Sequence, residues 1–175
     1  MHPPRPALAQ VVHLLIWRWL QGQPRTKQSG ISHYRTTRGA ELVWFAAVAY
    51  TNRRTTNNVA EYWGLIHGLH HPVQASLRPL HVIGDSNLIM SQRPKAAHLV
   101  KMHTRATILS APAGVVTWRY HLRQHNKMTD TAANVAVDDE TSVQSNASDG
   151  RPKLQFLLPY LEGDTQHWFS RLEAP

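Results

Sequence analysis

The sequence predicts an α/β domain over residues 39–137, because strand-like and helix-like segments alternate along this stretch. Glu41–Tyr50 is an apolar and aromatic run, which is typical of a buried strand. A helical pattern follows it, and Leu80–Gly84 is then a second short apolar run. This alternation favours helices packed on a largely buried sheet.

The first predicted helix opens at Asn58, and Pro72 is expected just beyond its end. Apolar residues recur in it at helical spacing, namely Val59, Tyr62, Ile66 and Leu69. Gly64 and Gly68 lie four residues apart and leave a flat helix face that can approach a sheet closely. The spacing therefore predicts a helix that packs directly on the sheet.

The remaining elements of the domain continue the alternation. Residues 86–110 have helical character that Pro94 interrupts, and Gly114–Leu122 is predicted to be a third strand. Asn126 is expected to cap a last helix that runs to about Val137.

The two ends of the chain give weaker signals. Residues 1–40 contain four prolines and no acidic residue, and we expect them to be irregular. Residues 138–152 are polar and predict a linker, and 154–172 form an apolar segment without recognisable chemistry. The predicted division is an atypical segment at 1–38, the domain at 39–137, and a linker with a tail at 138–175.

Composition excludes several classes of site. The chain has no cysteine, which excludes disulfides, thiolate zinc sites and cysteine nucleophiles. The net charge is +8, but residues 1–56 carry +7 of it and the remaining residues only +1, so charge alone is weak evidence for nucleic-acid binding. Val11–Leu20 comes closest to a membrane span but is too short, and His13 and Arg18 interrupt it, so we expect a cytoplasmic or nuclear location without membrane association.

Three acidic residues occupy the ends of predicted elements, where metal-dependent sites gather in open α/β sheets. Glu61 lies in the first turn of a helix, Asp85 follows a buried strand, and Asp130 lies in the first turn of the last helix. Mg²⁺ takes hard oxygen ligands, so converging carboxylates could hold it. Each acid also has a structural interpretation, because helix caps and first turns favour Asp and Glu.

The residues around these acids resemble the type 1 ribonuclease H family. Thr56–Leu69 is similar to the second motif of that family, Val82–Ile89 to the third, and Arg123–Asn134 to the last. The acids follow one another at spacings of 24 and 45 residues, and the resemblance covers about 100 of the 175 residues. It implies a ribonuclease-H-like mixed sheet flanked by helices, with a degenerate first strand and glycine loop.

The resemblance also implies an activity and its residues. The family hydrolyses the RNA strand of RNA–DNA hybrids with two Mg²⁺ ions, for which Mn²⁺ can substitute. The implied metal ligands are Glu61, Asp85 and Asp130, with Arg123 or His121 assisting near the leaving group. The implied substrate-binding residues are Thr56, Asn57, Asn58, Ser86 and Asn126. We expect a monomer that binds RNA–DNA hybrid or another nucleic acid.

The first motif of the family, an aspartate on the first strand before a glycine-rich loop, is missing. No Asp precedes Asp85, and Trp17 stands at the aspartate position. Read one base later, Ile16–Thr26 can encode a segment close to the missing motif, so we hypothesise that residues up to about 38 derive from a shifted frame. The activity is therefore expected to be impaired. A non-catalytic binding module and a non-functional remnant of a retroelement or duplicated gene are the alternatives.

Histidine and tryptophan residues have structural interpretations. His67, His70 and His71 lie at helical spacing without a cysteine or a carboxylate beside them, which favours an ordinary helix face over a zinc site. The tryptophans of the predicted elements are interpreted as core residues rather than as platforms for base stacking, and they are Trp44, Trp63 and Trp118.

Overall fold

The computed structural model describes residues 12–21, 27–36, 40–50, 56–91, 94–129, 131 and 143–146. The strands are β1 (Val12–Gln21), β2 (Lys27–Thr36), β3 (Ala40–Tyr50), β4 (Leu80–Gly84), β5 (Val115–Tyr120) and β6 (Val143–Asn146). The helices are α1 (Asn57–Ala75), α2 (Asn87–Ser91) and α3 (Ala97–Ser110), and a 3₁₀ turn spans Arg123–His125.

The strands form one six-stranded mixed sheet in the order β5-β4-β1-β2-β3-β6. The pairs β1–β2, β2–β3 and β3–β6 are antiparallel, whereas β4 runs parallel to β1 and β5 runs parallel to β4. Helix α1 contacts β1, β2 and α3. The predicted α/β class, a mixed sheet flanked by helices, is confirmed.

Helix α1 joins the sheet through a fully buried apolar face. Leu65 and Leu69 are at most 1% exposed, and β4 contributes Leu80 and Val82, which are completely buried. Gly64 and Gly68 are also buried, as the predicted flat face requires. These four apolar residues of α1 and β4 belong to one buried cluster, and burying a Leu side chain contributes roughly 1.5–3 kcal/mol, so this core holds α1 on the sheet.

The bounds of α1 differ from the predicted ones at both ends. Thr56 is the N-cap, and its hydroxyl accepts a hydrogen bond from the Val59 amide at 3.4 Å. Pro72 was expected beyond the helix but lies inside it, and the helix ends only at Ala75. The C-cap is Ser76, which has a left-handed backbone and donates its N–H to the Pro72 carbonyl. With Thr56 as N-cap, α1 begins at Asn57, one residue before the predicted start at Asn58.

The expectation that residues 1–40 are irregular is wrong for the two stretches that form β1 and β2. These strands pair with each other over ten residues, and β1 also pairs with β4. The predicted linker likewise contains β6, which pairs with β3. Both corrections have one cause: pairing within a sheet is a tertiary interaction that composition does not reveal. The division of the chain at residues 38 and 137, and the shifted-frame origin, stay predictions.

The remaining predicted elements agree with the structure where it describes them. β4 has the predicted bounds, Pro94 separates α2 from α3, and β5 lies within the predicted third strand. Helical conformation begins after Asn126 at residues 127–129 and 131, and the rest of the predicted last helix lies outside the described residues, as does the apolar segment 154–172. None of the described helices has the length and apolar character needed to cross a bilayer.

Replacing Leu69 by Ala should lower the free energy of unfolding by about 2–5 kcal/mol, because this side chain is completely buried between α1 and the sheet. The change is measured by urea denaturation followed by circular dichroism. Gln74→Ala, on an exposed position of the same helix, is the matched control and should change stability by less than about 0.5 kcal/mol. A chain without a cooperative transition, or with equal effects of both substitutions, would contradict a packed core here.

Candidate metal centre

Two of the three predicted metal ligands meet where the end of β4 faces the start of α1. Asp85 directly follows the last residue of β4, and Glu61 lies one turn into α1. Ser86, the residue after Asp85, donates its hydroxyl hydrogen to Oε2 of Glu61 at an O–O distance of 2.6 Å. The fold therefore brings two carboxylates that are 24 residues apart in the chain to one edge of the sheet.

The electrostatics of this pair follow from its burial. Burial raises the pKa of Glu61, the hydrogen bond from Ser86 lowers it, and the negative charge of Asp85 raises it again. The net direction is upward, so the ionised carboxylate is held in a place that disfavours its charge. A divalent cation would relieve both the burial of this charge and its repulsion by Asp85. The two oxygen-donor groups present thus fit a hard cation such as Mg²⁺ or Mn²⁺.

The third predicted ligand, Asp130, lies outside the described residues. Its neighbours Met128 and Thr129 are completely buried, so the start of the last helix is anchored in the interior. The metal-ligand role of all three acids stays a prediction. No group of three or more residues able to ligate a metal occurs within the described part of the chain.

His121 and Arg123, the residues predicted to assist near the leaving group, occupy different environments. The His121 amide donates to the Gly84 carbonyl at 2.9 Å, which ties the end of β5 to the residue before Asp85. The His121 side chain is 3% exposed, and its ring lies edge-on to that of His125 with centroids 6.0 Å apart. Arg123 is exposed in the 3₁₀ turn. The backbone of His121 therefore lies beside Gly84, the residue before Asp85, whereas the Arg123 side chain is accessible from solvent.

The predicted substrate-binding residues divide into exposed and internal groups. Thr56 and Asn58 are exposed at the start of α1, one turn from Glu61, and Asn57 is the first residue of that helix. Asn126 is 1% exposed, and its Oδ1 accepts the hydroxyl hydrogen of Thr129 at 2.5 Å. Thr56 and Asn58 are therefore open to a ligand that reaches Glu61, whereas Asn126 makes a contact inside its own turn.

Trp17, which was predicted to stand at the position of the missing family aspartate, lies on β1, the strand beside β4. Trp17 is paired with Gly84 in the parallel register, one residue before Asp85. The backbone of β1 thus extends to the carboxylate edge of the sheet, while the residue there carries no carboxylate. The sequence departs from the family pattern at a place where the strand itself is present.

Several histidine and tryptophan side chains among the described residues have packing roles. The His71 ring stacks on Trp44 at 4.4 Å between centroids, and Arg105 lies over the Trp63 ring at 5.4 Å. Burial lowers the pKa of His71. Trp44 is a buried core residue, and Trp63 and Trp118 pack against the core, which confirms the interpretation of these tryptophans.

Sequence analysis assigned Ser86 to substrate binding and missed its contact with Glu61. The Asp85-Ser86 pair signals a strand end and a helix start, and the Ile89 amide does approach the Ser86 hydroxyl oxygen at 3.5 Å. Nothing in that local pattern identifies a partner 25 residues earlier in the chain.

Sequence comparisons with known proteins identify a family and a relative. A family model described as reverse transcriptase-like matches residues 23–136. The bifunctional protein Rv2228c of Mycobacterium tuberculosis is 38% identical over 104 residues, which are 57% of this chain and 28% of that protein. The chain thus spans less than a third of the length of this curated relative.

Solved structures show the same architecture. The N-terminal RNase H domain of Rv2228c from Mycobacterium tuberculosis, solved as a maltose-binding-protein fusion, superposes with a TM-score of 0.61 at 26% identity, covering 74% of this chain and 96% of that chain. RNase H1 from Halobacterium salinarum gives a TM-score of 0.59 at 22% identity, covering 74% and 98%. LC11-RNase H1, solved in complex with RNA/DNA hybrid, gives 0.59 at 20% identity, covering 75% and 99%. The last two likenesses show the fold.

Glu61→Gln should stabilise the metal-free protein at neutral pH. The raised pKa of Glu61 means that the folded state holds its proton more tightly than the unfolded state does, so stability falls as pH rises from the ordinary value of 4.5 through the raised pKa. The Gln side chain stays neutral and can still accept the Ser86 hydrogen bond. Urea denaturation in EDTA should show the variant more stable than the native sequence at pH 7 and equal to it below pH 4.5. If the urea midpoint of Glu61→Gln equalled that of the native sequence at pH 7, the result would contradict the raised pKa of Glu61.

Proposed function

The chain belongs to the reverse transcriptase-like family, whose model covers more than half of it, and from this premise we propose that it acts on RNA–DNA hybrids as a divalent-metal-dependent ribonuclease H. The observation that carries the proposal is the meeting of Glu61 and Asp85 at one edge of a ribonuclease-H-like sheet. LC11-RNase H1, which shares the fold, was solved with an RNA/DNA hybrid.

The residues have distinct roles in this proposal. Glu61, Asp85 and Asp130 would hold two Mg²⁺ ions, which activate water and stabilise the leaving oxygen when bound. Thr56, Asn57 and Asn58 would contact the RNA strand, where the 2′-hydroxyl distinguishes RNA from DNA. Ser86 and Asn126 are proposed as further contacts. His121 or Arg123 would supply or hold a proton near the leaving group.

The activity is proposed to be weakened, because position 17 on β1 carries no carboxylate next to Asp85. The same observation favours a second candidate function, a module that binds hybrid without cleaving it. The proposal also includes a degenerate first motif, a monomeric state and a cytoplasmic or nuclear location.

Mn²⁺-dependent cleavage of a labelled RNA–DNA hybrid should be detectable and should require both carboxylates. Glu61→Gln and Asp85→Asn should each lower the rate by at least about 100-fold, since even loss of a supporting residue in a metal site costs up to that much. Ser110→Ala, which removes a hydroxyl on α3, is the matched control and should cleave normally. Hybrid binding without cleavage in the native sequence would favour the binding module, and cleavage that survives both substitutions would contradict the metal centre.

Trp17→Asp should raise the cleavage rate by about tenfold or more, which corresponds to roughly 1.4 kcal/mol of transition-state stabilisation. The reason is that it places a carboxylate on β1 at the level of Gly84. Arg18→Asp is the matched control, because successive side chains of a strand point to opposite faces of the sheet. An increase in Trp17→Asp alone supports the proposal. Equal rates in the two variants, or an increase only in Arg18→Asp, would contradict the assignment of position 17.

A further inference from the structure

Ser86 joins the two elements that carry the carboxylates. Its side chain is 7% exposed at the turn between β4 and α2, and its hydroxyl reaches Glu61 on α1 across a 2.6 Å hydrogen bond. This length lies within the 2.5–2.7 Å range of bonds from a hydroxyl to a carboxylate, which are about twice as strong as neutral ones. The contact is therefore a strong link between α1 and the end of β4.

The direction of the hydroxyl is fixed from both sides. A serine hydroxyl has one hydrogen and two acceptor sites. The Ile89 amide in the first turn of α2 approaches the oxygen at 3.5 Å, while the hydrogen points to Glu61. Since its single hydrogen is committed, the hydroxyl cannot donate to a substrate phosphate at the same time. The hydroxyl hydrogen of Ser86 therefore serves Glu61, and a contact between Ser86 and substrate would use the oxygen as acceptor.

A neutral donor has a particular advantage at this place. Lysine or arginine beside Glu61 would hold the carboxylate but would also neutralise the charge that attracts a divalent cation. Serine fixes one carboxylate oxygen and leaves the full negative charge of Glu61 and Asp85. The remaining acceptor sites of the carboxylate stay available to a cation, because an ionised carboxylate offers about four.

We propose that Ser86 is a positioning residue that orients the Glu61 carboxylate for divalent-cation binding. The inference rests on the proposed metal-dependent function and adds a residue that acts through another one. It predicts that the affinity for the cation depends on the hydroxyl, and that the orientation of Glu61 depends on it even without a cation.

The affinity is tested by isothermal titration of the full chain with Mn²⁺ alone at constant pH. Ser86→Ala should weaken Mn²⁺ binding by about tenfold, as loss of a residue that supports a metal ligand does. Ser86→Thr keeps the hydroxyl on the same Cβ and should restore the affinity. Ser110→Ala, which removes a partly buried hydroxyl on α3, is the matched control and should bind Mn²⁺ normally. Native affinity in Ser86→Ala would overturn the inference.

A second measurement separates this inference from the proposed function. In metal-free protein with ¹³C-labelled glutamate, the side-chain carboxyl resonance of Glu61 is one of five and is assigned by its loss in Glu61→Gln. It should shift in Ser86→Ala and stay in place in Ser86→Thr. If the native chain binds no Mn²⁺, the proposed function fails, while this shift still supports the orienting bond. An unmoved resonance in Ser86→Ala overturns the inference whether or not Mn²⁺ binds.

Discussion

The approach of the Glu61 and Asp85 carboxylates is the constraint on which the proposed function depends. Two like charges at a partly buried position oppose ionisation, and burial and Asp85 both raise the pKa of Glu61. The hydrogen bond from Ser86 offsets part of the cost of ionising Glu61 and leaves the negative charge of its carboxylate in place. In the proposed function, a divalent cation would offset the rest of this cost. The raised pKa of Glu61 in the metal-free protein and the proposed affinity for a cation would then have the same origin.

The fold produces this arrangement through packing far from the carboxylates. Leu65 and Leu69 hold α1 against the sheet, so the start of the helix is fixed next to the end of β4. The amide of His121 binds the Gly84 carbonyl and keeps the end of β5 at the same edge. β1 also reaches this edge, with Trp17 paired to Gly84. The backbone of β1 therefore reaches the edge of the sheet at which Asp85 lies, and Trp17 on this strand carries no carboxylate.

Much of this could be predicted from the sequence, and the failures have physical reasons. The bounds of β4 and the resemblance around Glu61 and Asp85 depend on local patterns, which the sequence shows directly. β1 and β2 were missed because prolines and basic residues obscure a pattern that only ten-residue pairing with neighbouring strands completes. Pro72 was placed outside α1 because helix interiors usually exclude proline, although tertiary packing overrides that tendency here. The Ser86–Glu61 bond joins distant segments, so no local pattern could reveal it.

Titration of ¹⁵N-labelled protein with Mn²⁺, followed by amide NMR spectra, tests directly whether one cation site exists at this edge. Paramagnetic broadening should first affect the amides that surround the two carboxylates, namely those of Tyr62, Ser86 and His121. The amides of Thr104 and Ile108 on α3 should stay sharp at the same Mn²⁺ concentration. Glu61→Gln should abolish the selective broadening. Broadening that is uniform over the protein, or that survives Glu61→Gln, would show that the carboxylates do not form a common site.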